Sequence, residues 1–152
     1  MNERRWPDEL QRSSPAQVEG LLRRFWQELA ELPDLIARDE QLLCAACTER
    51  LRATVLEMML ALNGIAYPQG TSNLNTYLSP SQRAAIEKTL LAPSVDGDTW
   101  IGQAVALVVI YRWYAPQLAG AFALTYDGDL EMQTLDLLRA QLWDWPAVIT
   151  TD

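Results

Sequence analysis

Between two copies of the triplet Asp-Gly-Asp, at residues 96–98 and 127–129, lies a stretch with a single charged residue, Arg112. Its core, "TWIGQAVALVVIYRWYAPQLAGAFAL", covers residues 99–124. The spacing predicts one long helix that is apolar on nearly every side. Such a helix must be surrounded by other helices or by lipid. At 1.5 Å per residue it would reach about 40 Å, enough to cross a hydrocarbon layer of about 30 Å. Gln103, Arg112, Pro116 and Gln117 interrupt it, and neither end carries a basic flank of the kind that anchors a membrane span. The expectation is therefore a buried central helix with no membrane partner.

The rest of the chain supplies what would surround it. "RSSPAQVEGLLRRFWQELAEL" opens with Ser then Pro, and Val18, Leu21, Leu22, Phe25, Trp26, Leu29 and Leu32 recur at three- and four-residue steps, which predicts a helix over 15–32. Pro33 ends it. A second helix is expected over 34–63, with a possible break near Asp39–Glu40 and Gly64 closing it in the left-handed conformation. Cys44, Cys47, Leu51, Val55, Met58 and Leu62 form one stripe of it, and Leu56 and Leu60 lie on another side. A short turn is expected over 73–78. Ser79, Pro80 and Gln82 make a capping-box start for a helix over 80–92. A last helix is expected over 129–142, and Pro146 forces the tail 143–152 out of it. No alternating, strand-like run is present. The fold class expected is all-α: a single domain over 1–152 built as an up-and-down helical bundle of four main helices plus one short or flanking helix, with a flexible N-terminal arm over 1–14. A chain of 152 residues with a 49% apolar and 21% charged composition can bury such a core.

Charge and residue type exclude more chemistry than they suggest. The net charge is −8, and it is uneven: residues 1–24 hold five bases and four acids (+1), 25–95 five and eight (−3), 96–152 two and eight (−6). An acidic chain repels phosphate backbones, so no nucleic-acid partner is expected. There is no histidine and one lysine, Lys88. Ser-His-Asp and Cys-His catalysis, His-ligated zinc and haem are excluded, and Schiff-base chemistry has little support. No catalytic residue, metal ligand or cofactor is assigned, and the chain is expected not to be an enzyme. "MNERRWPDELQRSSP" has no apolar segment of the secretory kind, and two cysteines make no disulfide framework, so a cytoplasmic location is expected.

Three motifs bear on function. The "CAAC" at 44–47 has the spacing of half a zinc site or of a redox pair, but it lies on the apolar stripe inside a helix. Burial as small hydrophobes is the stronger expectation. Each Asp-Gly-Asp is read as a Gly turn followed by an Asp cap. A shared two-carboxylate site would need a sharp reversal at Pro116. "YRWYAP" places Arg112 on an apolar stripe, where a guanidinium needs a carboxylate, an aromatic face or a ligand anion. Tyr111, Trp113 and Tyr114 flank it. An internal ion pair, or a stripe that simply reaches the surface here, competes with a pocket for a small anionic or nucleotide-like ligand lined by Arg112, Tyr111, Trp113 and Tyr114. In the tail, "WDWP" at 143–146 would dock in a partner or clamp onto its own core.

"RLRATVLEMMLALNGIAYPQGTSNLNTYL", residues 50–78, resembles the HEPN superfamily of helical bundles, in which a long apolar helix ends near a Gly and an Asn/Asp-Leu motif opens a short helix. Many of those proteins are ribonucleases with an Arg-x(4–6)-His motif in a dimer cleft. Here Arg112 is followed after four residues by Gln117. The resemblance therefore implies a non-catalytic member serving in binding, antitoxin or assembly roles. The leading functional expectation is a non-enzymatic, self-associating protein–protein interaction or regulatory module, a homo-oligomer or the partner of another protein. A small-anion binder is the alternative, and a metal-dependent nuclease has least support.

Overall fold

A computed structural model describes residues 6–90 and 94–149 of the chain. Its described residues form six α-helices: α1 (Pro15–Leu29), α2 (Leu32–Ala37), α3 (Gln41–Leu62), α4 (Pro80–Lys88), α5 (Gly97–Ala121) and α6 (Gly128–Gln141), with a single 3-10 turn at Leu74–Tyr77. There is no strand among them. The four long helices α1, α3, α5 and α6 make the bundle, and α2 and α4 flank it.

Local chemistry sets most of the boundaries. Ser14 accepts from the Gln17 amide (3.1 Å) while the Gln17 side chain accepts from the Ser14 amide (2.8 Å). Ser79 and Gln82 repeat the arrangement at 3.1 and 3.0 Å. Each box satisfies two of the amides that a helix start leaves open. The first helix stops at Leu29, not at 32. Pro33 has no N–H to give the Leu29 carbonyl, and its ring would collide with that carbonyl in a continuing helix. Pro33 instead sits in the first turn of α2, where no donor is missed. The expected 34–63 helix divides at the expected break. Asp39 takes a left-handed conformation (φ 57°), and α3 begins two residues later. Gly64 closes α3 at φ +85°. The helix expected over 80–92 ends at Lys88, and residues 91–93 lie outside the described residues.

The core fills the space between the four long helices. Val18, Leu22, Phe25, Trp26 and Leu29 of α1 meet Cys44, Cys47, Leu51, Val55 and Met58 of α3. From the other side come Ala104, Leu107, Val108, Tyr111, Ala115 and Leu118 of α5 and Leu135 and Leu138 of α6. The most extensive helix pair is α3 with α5, but α3 also packs on α1, α2 and α4, so α3 is the central helix, and the α5 expected to be central and buried keeps one side exposed. No helix among the described residues is long and apolar enough to cross a membrane.

Helix directions follow from paired contacts. Arg24 bonds Thr54 (3.1 Å) and Cys47 donates to the Glu28 carbonyl (3.4 Å), so α1 and α3 are antiparallel. Arg112 meets Glu131 (3.4 Å), and Asp98 meets Asp144, so α5 and α6 are antiparallel as well. The expected alternation holds inside each of these pairs but lapses between them. Trp100, near the start of α5, donates to Gln41 at the start of α3 (2.6 Å). At the other end Asn63 donates to Gln82 (2.8 Å), and Gln82 in turn meets Tyr114. Helices α3 and α5 therefore run in the same direction, and the chain between them turns back along α3, with Gln82 beside Asn63 and Thr89 beside Arg52.

Both ends of the described chain are tied to this frame. The Asp8 carboxylate accepts from Tyr77 and Thr71 (2.6 Å each), and the Ala66 amide donates to the Gln11 carbonyl (2.7 Å). These bonds join part of the arm expected to be flexible to loop 65–79. In the tail, the two tryptophans of "WDWP" divide the two expectations. Trp145 is 4% exposed and packs into the core, while Trp143 is 92% exposed.

Candidate functional site

The acidic triplets are helix starts, but the cap is the Asp before the glycine, two residues earlier than expected. An N-cap oxygen reaches the amide three residues on. Asp96 reaches Thr99 (2.9 Å) and Asp127 reaches Leu130 (3.1 Å). The first Asp of each triplet is thus the cap, Gly is the first helical residue, and Asp98 and Asp129 follow in the positive first turn. A hydrogen bond from Ser94, then the Thr99 amide, holds the Asp96 carboxyl below its ordinary range. Helix α5 is continuous through Pro116, so the two triplets stay at opposite ends. Among the described residues no group of His, Cys, Asp or Glu is arranged to hold a metal ion.

Cys44 and Cys47 are free and fully buried. Burial raises the Cys44 thiol and pushes Cys47 up to about 11. Thiol reactivity follows the thiolate, which neither site favours. At about pH 8 the folded chain is expected to react with an aromatic disulfide at least about 100-fold more slowly than the unfolded chain. Rapid labelling without denaturant would contradict this placement.

The four residues singled out around "YRWYAP" separate in space. Tyr111 points into the core with no exposed surface. Its hydroxyl donates to the Leu22 carbonyl (2.8 Å) and accepts from Trp26 Nε1 (3.0 Å) and from Tyr126 (3.1 Å). Arg112 faces α6 and the tail: Nε meets Glu131, and Nη1 donates to the Ile149 carbonyl (3.2 Å). Tyr114 is half-buried and meets Gln82. Trp113 alone turns outward, 60% exposed. Consecutive helical residues diverge by about 100°, and here they face the core, α6 and the tail, solvent, and α4 in turn.

Trp113 belongs to a stripe on the outer side of α5. Gly102, Ala106, Val109, Trp113, Pro116, Gln117 and Gly120 recur mostly at steps of three and four, and none is charged. Ala106 and Val109 are half-buried and the others are exposed. In an antiparallel pair, the residues following a contact turn to one side of both helices. Trp113 follows Arg112 and Met132 follows Glu131, so the exposed Met132 of α6 widens the apolar face.

A second concave feature lies along α3. A groove of about 470 Å³ has Ala53 and Leu56 as its floor, loop residues Tyr67, Leu74 and Leu78 as one wall, and Ile86 of α4 with Leu90 just beyond it as the other. Charged side chains line it in compensated pairs: Arg52 with Glu49 (2.6 Å), Arg83 with Glu87 (2.7 Å), and Glu57 with Arg24. Arg52 differs from the others because its side chain is only 10% exposed. Nε donates to Thr89 Oγ1 (2.8 Å), and Nη2 donates to the Thr89 carbonyl (2.8 Å) and to Gln103 Oε1 (3.3 Å). Arg52 thus caps the C-terminal end of α4 and links it to α5. Sequence reasoning passes over it, although a signal is present. Arg52 precedes Leu56 and Leu60 at four-residue steps, on the second apolar side of the helix.

No protein-family model, no curated protein and no solved structure matches this chain.

Proposed function

We propose that this chain is a non-enzymatic cytosolic interaction module that self-associates through the outer stripe of α5. The observation that carries this reading is the run Gly102, Ala106, Val109, Trp113, Gly120: positions along the outer side of a long helix without one charge, with a large exposed indole among small residues. With a net charge of −8, two copies repel wherever acidic faces meet. The stripe lets them approach without bringing like charges together. A two-fold arrangement sets the stripe of one copy on the same stripe of the other, and the small residues Gly102, Ala106 and Gly120 leave room for the Trp113 rings. A non-catalytic HEPN-like module serving assembly would act in this way. The alternative, a small anion at Arg112, requires that guanidinium to leave both Glu131 and the Ile149 carbonyl.

Light scattering coupled to size exclusion tests the reading. The unaltered chain is expected to run as a dimer, and Trp113→Glu as a folded monomer with unchanged far-ultraviolet circular dichroism. A chain that stays monomeric at high concentration, or a Trp113→Glu dimer, would sink it.

A further inference from the structure

We infer that the α3 groove binds a small amphipathic carboxylic acid, with its carboxylate on Arg52 and its apolar body along Leu56, Leu74 and Leu78. Arg52 is a prepared anchor. Thr89 and Gln103 fix its Nε and Nη2 edge, so the guanidinium loses little freedom when it takes up an anion. Its Nη1 edge is held by Glu49, one turn away on the same helix and 69% exposed. Glu49 occupies the position that a ligand carboxylate would take, and it can return to solvent when displaced. Exchanging one carboxylate for another keeps the charge on the guanidinium balanced, so the buried cation is never left unpaired.

The remaining lining selects for a single negative charge and an apolar chain. Glu57 and Glu87 each hold an arginine of their own, so they do not cancel Arg52. A dianion such as phosphate would bring a second charge, and Arg83, the other cation of the lining, is already paired with Glu87. The volume suits a molecule of modest size. The hydrocarbon part would cover Leu56, Leu74, Leu78 and the exposed Leu90, removing apolar surface from water.

Calorimetric titration of the full chain with decanoate, below its micellar range, tests the assignment, with decanol as the uncharged comparison. Decanoate is expected to bind one per chain, and decanol at least about tenfold more weakly, a difference of about 1.4 kcal/mol. Glu49→Gln removes the internal competitor and is expected to tighten decanoate about tenfold. Leu56→Trp fills the floor and is expected to abolish binding with the helical signal retained. Trp113→Glu is expected to bind decanoate as the unaltered chain does, which separates this site from the α5 stripe. Equal binding of decanol and decanoate, or no gain with Glu49→Gln, overturns the role of Arg52. Absence of binding by both the unaltered chain and Glu49→Gln overturns the site itself.

Discussion

Tyr111→Ala is expected to lower stability by about 4 kcal/mol, and Tyr111→Phe by about 1 kcal/mol. The difference separates ring from hydroxyl. The Tyr111 ring stacks on Phe25 with centroids 4.3 Å apart and planes 17° apart, and it meets Trp26 edge-on at 4.9 Å. Truncation to alanine opens a cavity where α1 meets α5, and a helix pair bridged by rigid rings cannot close over it fully. Phenylalanine keeps the rings and loses only the hydroxyl. The Leu22 carbonyl is then short of a donor, while Trp26 Nε1 keeps Tyr126 at 2.9 Å. For a chain of this size about 4 kcal/mol is a fall in Tm of about 8–16 °C, readable by scanning calorimetry. A loss below about 1 kcal/mol for the alanine variant would contradict the burial. Burial also holds the Tyr111 phenol above its ordinary range and pushes Tyr126 up to about 12, so this cluster stays neutral under physiological conditions.

The two arginines of interest are expected to differ sharply on replacement by methionine. Arg52→Met should cost about 3 kcal/mol, because it strips donors from Thr89 and Gln103 in a buried setting and releases the end of α4. Arg112→Met should cost about 1 kcal/mol or less. Its pair with Glu131 is partly exposed on both sides, 27% and 23%, and is 3.4 Å long. Urea unfolding of both variants checks the order. Equal losses, or a larger loss for Arg112, would mean that the buried network around Thr89 contributes little.

That contrast shows where the sequence is legible. Apolar steps of three and four mark the helices and most of the core, and the Ser-Pro-x-Gln motif at 79–82 places the start of α4 to the residue. Capping and periodicity are local, and the chain carries them in plain view. Pro33 reads as a stop but also works as a start, since one missing N–H serves both ends. The shared direction of α3 and α5 rests on Gln41–Trp100 at one end and on Gln82, which meets both Asn63 and Tyr114, at the other, contacts to which no local pattern points. Arg112 draws attention by being the one charge in an apolar run. Arg52 sits among glutamates and threonines, so its burial depends on where Thr89 comes to lie.

The long connection from α3 to α5 also has a bearing on how the chain reaches this state. Helices α1 and α3 join through a short connection, and α5 and α6 through a shorter one, so each hairpin can close early at small entropic cost. The α3–α5 seam closes the longest loop, so it is expected to form last. In stopped-flow refolding, mutations that loosen that seam are expected to slow folding more than mutations within either hairpin.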